Sequence, residues 1–321
     1  MASFGDLNRV NTNIQSLDSQ LSLNKINKQM AENQLKMSTG KRINRAEDDS
    51  AGFSIATKLR SRIGGLNQAM QNVGDAKSVL NIAESSFGSI MDNLVEMKGL
   101  ATQAANDTLG DDERAFIGDQ LKALGDDINN IADQTVYQDY SLLSGDNNDN
   151  DTAIKTGSTT LTFQVGERAS DTIEAELNAV NVATLFADDP TAADNTLGTA
   201  GGNISVSAAT ADKGGELDFA AAATANSADY RAFITEVDDA ITKMSENVND
   251  IGITQSSLSV REQTLSESIS ANESAKSRIM DTDFAKAQSE SVRLQILQQT
   301  ATSSLAQANN GPQSVLGFIG G

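Results

Sequence analysis

Both ends of the chain place apolar residues three and four positions apart among polar ones, the pattern of an amphipathic helix. Near the amino terminus this stripe comprises Leu7, Val10, Ile14, Leu17, Leu21, Ile26 and Met30. Near the carboxyl terminus it comprises Val292, Ile296, Ala301, Leu305 and Ala308. The spacing predicts helices over about 6–37 and about 283–309, the second ending before Pro312. Because a lone amphipathic helix has nowhere to bury its apolar face, both terminal stripes require partner helices.

Two longer stretches show a stricter seven-residue repeat. In the first, which predicts one helix from about 50 to 106, the repeat runs through Leu59, Leu66, Val73, Leu80, Phe87 and Leu94. In the second, at about 227–275, it runs through Val237, Met244, Ile251, Leu258 and Leu265. A sustained repeat of seven is typical of a left-handed coiled coil. Since the two stretches have similar lengths, we expect them to pair antiparallel and to bury these residues within one chain.

The middle of the chain has a different chemistry. A third helix is predicted at about 111–133, and from about 141 to 222 Ser, Thr, Gly, Asp and Ala predominate. Short alternating stretches at 161–165 and 204–206 predict strands in this segment, while a disordered loop is the alternative for 186–222. Together these patterns predict a mainly α fold, with long antiparallel coiled-coil helices formed by the N- and C-terminal segments and a small β-rich or loop-like central insert.

Two absences limit the possible functions. The 321 residues include no Cys and no His, which excludes disulfides, thiolate nucleophiles, imidazole bases and the usual Cys- or His-containing zinc sites. No other cluster predicts a catalytic, cofactor-binding or metal site, so we expect a protein that is not an enzyme and uses no cofactor. The amino terminus lacks the stretches of a cleavable signal peptide, and no run of ~18 apolar residues predicts insertion into a membrane.

The net charge of −20 is unevenly distributed. Residues 1–45 contain seven Lys or Arg against three acidic residues, whereas residues 146–240 contain 17 acidic residues against four basic ones. The basic residues near the amino terminus are sparse and no aromatic residues interleave with them, so we expect no nucleic-acid partner. The acidic middle segment is expected to face water.

Two long motifs at opposite ends of the chain resemble bacterial flagellin, the family of flagellar filament subunits. They are LKMSTGKRINRAEDDSAGFSIATKLRSRIGGLNQAMQN at 35–72 and SAKSRIMDTDFAKAQSESVRLQILQQTATSSLAQAN at 274–309, followed by PQSVL. The resemblance implies three regions. They are an inner coiled-coil domain of 1–45 with 280–321, a helical rod domain with a β-hairpin region of 46–177 with 223–279, and a small variable outer insert of 178–222.

The same resemblance implies a secreted, extracellular protein of the bacterial flagellum. It implies export of the unfolded chain through the flagellar type III apparatus and assembly beneath a filament cap into a homopolymer that serves swimming motility. The implied partners are an export chaperone on the C-terminal helix, the filament cap and the hook–filament junction proteins. We expect the terminal stripes at 7–30 and 292–308 to contact neighbouring subunits and to order on polymerisation, whereas the repeat at 59–104 packs within the chain.

The chain departs from the family at a surface that an animal Toll-like receptor reads on flagellins. Leu100 and Gln103 match that surface, but Glu96 stands where the family has Arg and Gln120 where it has Glu. Reversing the charge at the Arg position removes bidentate hydrogen bonding. We therefore expect weak or absent recognition by this receptor.

Two other functions stay open at this point. A hook–filament junction protein shares the end motifs and this length, although the RINRAEDDSAG and QILQQ motifs favour flagellin. A chemoreceptor-like signalling hairpin also combines Ala-rich heptads with long antiparallel helices. That function does not explain why both ends of the chain present apolar stripes without partners.

Overall fold

The computed structural model describes residues 12–145, 157–187, 195–196, 204–207, 215–219 and 226–319. The described residues form two compact units, one within 1–64 and 269–321 and the other within 65–268. The helices are α1 (Ile14–Thr39), α2 (Ser50–Ala104), α3 (Asp111–Gln134), α4 (Val182–Phe186), α5 (Ser227–Met280) and α6 (Phe284–Ile319). The strands are β1 (Val136–Tyr137), β2 (Tyr140–Ser141), β3 (Ser158–Gln164), β4 (Thr172–Asn178), β5 (Asn195–Thr196), β6 (Ile204–Val206) and β7 (Leu217–Phe219).

The ends of α1 and α6 in the first unit follow local helix chemistry. At the start of α1, the side-chain oxygen of Asn13 accepts a hydrogen bond from the Ser16 N–H at 3.0 Å. The helix ends at Gly40, whose φ of +68° is the left-handed conformation that favours glycine. The Gly40 carbonyl accepts a hydrogen bond from the Thr282 N–H at 3.0 Å. The end of α1 and the start of α6 therefore lie side by side.

In the second unit, α2 and α5 run antiparallel. Lys77 lies 2.7 Å from Glu262, and further along α2 Lys98 lies 2.5 Å from Asp238. All four side chains are partly exposed, so each ion pair contributes only about 0–1 kcal/mol to stability. The heptad residues are buried: Leu66, Val73, Leu80, Phe87, Leu94, Val237, Met244, Ile251, Leu258 and Leu265. Burial of these apolar side chains, more than the ion pairs, stabilises the two helices.

The junction between α2 and α3 is closed by Arg114. Its guanidinium donates to the carbonyl oxygens of Ala104 at 3.2 Å and Asn106 at 3.1 Å, which satisfies main-chain groups that the end of α2 leaves without helical partners. The Arg114 carbonyl in turn accepts a hydrogen bond from the buried Tyr230 hydroxyl at 3.0 Å. Burial raises the pKa of Tyr230 above its ordinary value of 10.0. This contact connects α3 to α5.

The described part of the central segment packs on α3. Asn129 of α3 donates to the Gly215 carbonyl at 2.7 Å and accepts from the Val182 N–H at 3.0 Å. The apolar residues of β6 and β7 are buried, and the ring of Phe219 lies 5.6 Å from that of Phe233 in α5. The strands expected at 161–165 and 204–206 occur as β3 and β6. At 204–206 the alternative of a disordered loop over 186–222 is therefore wrong, while 188–194, 197–203, 208–214 and 220–222 lie outside the described residues.

The predicted fold class, mainly α with a small strand-containing centre, is confirmed. The helix end expected before Pro312 is wrong, because α6 continues to Ile319. A proline removes one main-chain N–H and crowds the preceding turn, which weakens a helix there without preventing it from continuing. The three-domain division stays a prediction beside the two compact units seen here.

Candidate assembly interface

Four side-chain hydrogen bonds join α1 to α6 within one chain. They are Asn13–Ala308 (2.8 Å), Ser16–Asn309 (2.6 Å), Asn27–Gln298 (2.9 Å) and Asn33–Ala287 (2.8 Å). Asn13 and Asn33 donate to the carbonyl oxygens of alanines, while the other two bonds join side chains. From Ser16 through Asn27 to Asn33 on α1, the partner on α6 falls from Asn309 through Gln298 to Ala287. The two helices are therefore antiparallel and hold a single register over the whole described length of α1.

The side of α1 that faces α6 is polar at both ends and apolar in its middle. Its less exposed positions follow helical spacing: Asn13, Ser16, Ser19, Leu23, Ile26, Met30, Asn33 and Met37. The corresponding positions of α6 are Ala287, Leu294, Gln298, Ala301, Leu305 and Ala308. Alanines on α6 let the helices approach closely. Hydrogen bonds near the ends of the seam and apolar packing in its middle thus both contribute to this helix–helix contact.

Another side of each helix exposes large apolar residues, which we call the exposed apolar rows. They are Ile14, Leu17, Leu21 and Leu35 on α1, and Phe284, Val292 and Ile296 on α6. The exposed fraction reaches 68% at Leu21 and 59% at Ile296. Single apolar residues on a surface are ordinary, but helically spaced rows on two paired helices are typical of a protein–protein contact surface.

The residues predicted to form subunit contacts fall into three groups in the structure. Ile14, Leu17, Leu21, Val292 and Ile296 belong to the exposed apolar rows. The seam between α1 and α6 contains Ile26, Met30, Ala301 and Leu305, which are half-buried, and Ala308, which is buried. Leu7 and Val10 lie outside the described residues. The contact of all these residues with a neighbouring copy stays a prediction. The assignment of the heptad residues to a rod core also stays a prediction. Among those heptad residues Leu59 is half-buried and the others are buried.

The sequence pattern missed several residues of this surface. Leu35 extends the seven-residue spacing of Ile14 and Leu21, but Lys28 interrupts the series. Phe284 precedes Val292 by eight residues and Ile296 by twelve, and the polar Gln288 occupies the intervening position of this four-residue series. Leu297 is also exposed on α6, but it directly follows Ile296 and therefore lies outside that row. Tolerating one polar residue in each series would have found Leu35 and Phe284.

The connector between α1 and α2, which contains the RINRAEDDSAG motif, is attached to the end of α5. The Arg42 N–H donates to the Met280 carbonyl at 2.6 Å, and its guanidinium Nη2 donates to the Ile279 carbonyl at 2.8 Å. Within the connector, the Asp48 carboxylate accepts from the main-chain N–H groups of Arg45 and Asn44, both at 2.9 Å. These two hydrogen bonds, that from Arg45 first, lower the pKa of Asp48 below its ordinary value of 3.8.

The connector also borders a cleft of the first unit with a volume of about 680 Å³. Its lining carries both signs of charge, the basic residues Lys28, Lys36 and Arg42 and the acidic residues Glu32, Glu47, Asp48 and Asp49. Among the described residues, no group of three or more acidic, His or Cys side chains is placed to hold a metal ion. Within the residues that the structure describes, no helix contains an 18-residue stretch apolar enough to cross a membrane.

Comparison with known proteins extends over both ends of the chain. Residues 10–148 match the family model of the bacterial flagellin N-terminal helical region, and residues 234–319 match that of the C-terminal helical region. The chain is 33% identical over 317 residues to a flagellin of Bacillus subtilis (strain 168), an alignment that covers 97% of this chain and 99% of that protein. A flagellin of Listeria innocua is 30% identical over 311 residues, covering 97% and 99%.

A solved structure assigned as a flagellar hook-associated protein of Vibrio parahaemolyticus has a similar fold, with a TM-score of 0.56. It covers 73% of this chain and 100% of its own, at 15% sequence identity. At that identity the similarity concerns the fold alone. The two family models together match more than half of the chain, and the relatives align over nearly all of it, so the chain belongs to the bacterial flagellin family.

Proposed function

We propose that the chain is a structural subunit that self-assembles into a bacterial flagellar filament through the exposed apolar rows of α1 and α6. The observation that carries this proposal is the pair of rows on a terminal helix pair whose own seam is partly polar. Burying an apolar side chain of this size favours association by about 1.5–3 kcal/mol. Rows on different sides of one subunit allow the head-to-tail contacts from which helical polymers form.

The terminal helices order on polymerisation in this proposal. A paired helix with large apolar residues in water gains most of its packing energy only when a neighbouring copy covers them. In the free subunit, the α1–α6 pair is therefore expected to open more readily than the heptad core of α2 and α5. This behaviour keeps unassembled subunits from polymerising before they reach a filament end.

The alternative function of a hook–filament junction protein is less supported. The matched family models are flagellin regions, and the relatives from Bacillus subtilis and Listeria innocua are flagellins. The hook-associated protein shares the fold at low identity, which does not distinguish the two roles. As a member of a family of structural proteins, the chain is expected to have no enzymatic activity.

The proposed partners follow from assembly. Before export, a chaperone covers the apolar row of α6, where the exposed Val292 and Ile296 lie one helical turn apart. The chain is then secreted, incorporated beneath a filament cap and joined to the hook through junction proteins. Its location is the extracellular flagellar filament.

Recognition by the animal Toll-like receptor is proposed to be weak. Glu96, at the position of the family's Arg, is an exposed residue of α2, and it cannot make the bidentate hydrogen bonds that an Arg donates. A cell reporter of that receptor should respond weakly to the purified chain and more strongly to Glu96→Arg. Strong activation by the unsubstituted chain at nanomolar concentration would contradict this proposal.

Removal of residues 1–40 and 281–321 tests the assembly proposal. Electron microscopy after seeding should show filaments from the full chain and none from the truncated one. Circular dichroism should show that the truncated chain remains helical, and sedimentation should show that it is monomeric. If the truncated chain still forms filaments, the terminal helices are not the assembly interface.

A further inference from the structure

In the proposed filament, each α1 has to pair with one α6 out of several identical copies. Assembly brings many identical terminal helices close together, and each α1 then meets several α6 helices. A purely apolar seam between helices tolerates slips of register and exchange of partners. The four cross-helix hydrogen bonds of this chain therefore matter for which helices pair and in which alignment.

We propose that Asn13, Asn27 and Asn33 of α1 form a register ladder that selects one alignment with α6 and keeps the two helices of one chain together. The inference rests on the proposed function in one respect, since partner selection matters because copies assemble. It adds to that function by naming the residues that decide the pairing. A polar residue within a helix seam is an established means of specifying register, at some cost in stability.

The sequence of α6 makes the ladder specific to one alignment. In the observed register, Asn33 and Asn13 donate to the main-chain carbonyls of Ala287 and Ala308, whose small side chains leave these carbonyls accessible.

A slip of α6 by seven residues in one direction would replace each of the four hydrogen-bonding partners on α6 with a large apolar residue. Those residues are Leu294, Leu305, Leu316 and Val315, opposite Asn33, Asn27, Ser16 and Asn13.

A slip of seven residues in the opposite direction fails for another reason. It would place Met280 opposite Asn33, and Met280 is the last residue of α5, outside α6. The Asn33 amide, with its residue only 9% exposed, would then lose its partner on α6. A buried amide without a hydrogen-bond partner is strongly disfavoured. Both neighbouring alignments are therefore selected against by polar side chains.

The apolar centre of the seam does not provide the same discrimination. Leu23, Ile26 and Met30 on α1 meet a side of α6 that contains Leu294 and Leu305. Aliphatic side chains of similar size exchange partners with little loss of packing. With Asn27 and Asn33 replaced by leucine, the slipped alignment would bring leucine opposite leucine at both positions. The ladder variant Asn27→Leu/Asn33→Leu should thus stay helical while losing its unique register.

Cysteine cross-linking tests this directly, because the chain contains no cysteine of its own. Ser16→Cys with Asn309→Cys reports the observed register, and Ser16→Cys with Leu316→Cys reports the slip of seven. Both pairs are placed in the unsubstituted chain, in the ladder variant, and in Asn24→Leu, a matched control at an exposed asparagine of α1. Full-length protein is oxidised in the assembled and soluble states, and peptides linked within and between chains are counted by mass spectrometry.

The unsubstituted and Asn24→Leu backgrounds should form the observed-register cross-link within single chains. In the ladder variant, the ratio of this cross-link to the slipped and interchain products should fall by about tenfold or more, with helical content unchanged or higher. An unchanged ratio in the ladder variant overturns the proposal, and so does absence of the observed-register cross-link from the unsubstituted chain. Electron microscopy of the unsubstituted chain tests filament formation separately, so failure of the ladder and failure of the proposed function are distinguishable.

Discussion

The side-chain amide of Asn33 in α1 is buried and donates a hydrogen bond of 2.8 Å to the main-chain carbonyl of Ala287 in α6. A buried amide with a partner stabilises one arrangement, whereas the same amide without one is costly. At the same time Leu21, on another side of α1, is 68% exposed. The terminal helix pair thus buries polar groups near the ends of its seam, although the middle of the seam is apolar, and leaves large apolar side chains exposed on another side. That exposure supports an outward role for the exposed apolar side.

Replacing Asn33 with aspartate should destabilise the α1–α6 pair in a pH-dependent way. An ionised carboxylate cannot donate to the Ala287 carbonyl, so we expect a loss of about 1–3 kcal/mol at neutral pH. Burial beside a carbonyl favours the protonated acid, which can donate, so the folded-state pKa of the new carboxyl is raised. The stability of the Asn33→Asp variant is therefore highest below the pKa that the carboxyl has in the unfolded chain. It is lost as the pH rises through the higher pKa that the carboxyl has in the folded chain. Amide hydrogen exchange of α1 at several pH values, with the unsubstituted chain as reference, measures this; equal exchange at neutral pH would contradict it.

Substitutions at Asn13 should separate its two hydrogen bonds. Its side-chain oxygen accepts from the Ser16 N–H, while its Nδ2 donates to the Ala308 carbonyl. Asn13→Asp keeps the cap and loses the donation, whereas Asn13→Ala loses both. Because a cap contributes about 1 kcal/mol, exchange of the Ser16 amide should accelerate more in Asn13→Ala than in Asn13→Asp. Equal acceleration in the two variants would mean that the cap contributes nothing to the first turn of α1.

Charged residues in the exposed apolar rows should block filament growth without unfolding the subunit. Leu17→Asp and Leu21→Asp each place a charge where the proposed neighbour packs, and unpaired charges are strongly disfavoured in a buried contact. Since both positions are exposed in the single chain, its free energy of unfolding should change by only about 0.5 kcal/mol. Gln20→Asp, at an exposed polar position of the same helix, is the control. Seeded growth followed by light scattering should fail only for the two leucine variants.

The extent of sequence-based prediction differs between the inner and terminal helices. The heptads of α2 and α5 identified their core residues, because seven-residue spacing places side chains such as Phe87 and Met244 on one buried face. The terminal stripes predicted a need for partners but not which partner each residue has. Ile26 and Ala308 face the helix of the same chain, while Leu21 and Ile296 remain exposed. The burial of Asn33 was not predicted, because hydrophobic periodicity cannot identify a polar residue that is buried where it makes a hydrogen bond.

The two main-chain hydrogen bonds to the Asp48 carboxylate should stabilise the folded chain at neutral pH and lose this effect at acidic pH. The Arg45 and Asn44 N–H groups favour the ionised carboxylate and lower its pKa below 3.8. A lowered folded-state pKa stabilises the native state above the ordinary value, and this stabilisation is lost as the pH falls below 3.8 through the folded pKa. Asp48→Asn should therefore be less stable than the unsubstituted chain at pH 7, with the difference shrinking on acidification. Thermal unfolding of both proteins across this range measures it, and a pH-independent difference would assign the effect to packing.

Two glycines of α2 should respond in opposite directions to alanine. A Cβ at Gly52 would lie 2.9 Å from Cδ1 of the buried Ile43 and 2.5 Å from the Asp49 carboxylate, whose other oxygen accepts from the Gly52 N–H. Both side chains would have to shift, which disturbs the hydrogen bond of Asp49 and the packing of the buried Ile43, so Gly52→Ala should cost about 1 kcal/mol or more. A Cβ at Gly74 meets nothing within 4 Å, and alanine in a helix interior is favoured over glycine by about 0.5–1 kcal/mol. Urea unfolding of the two variants should shift to lower and higher midpoints respectively; a stabilised Gly52→Ala would mean that the connector is not tightly packed against the start of α2.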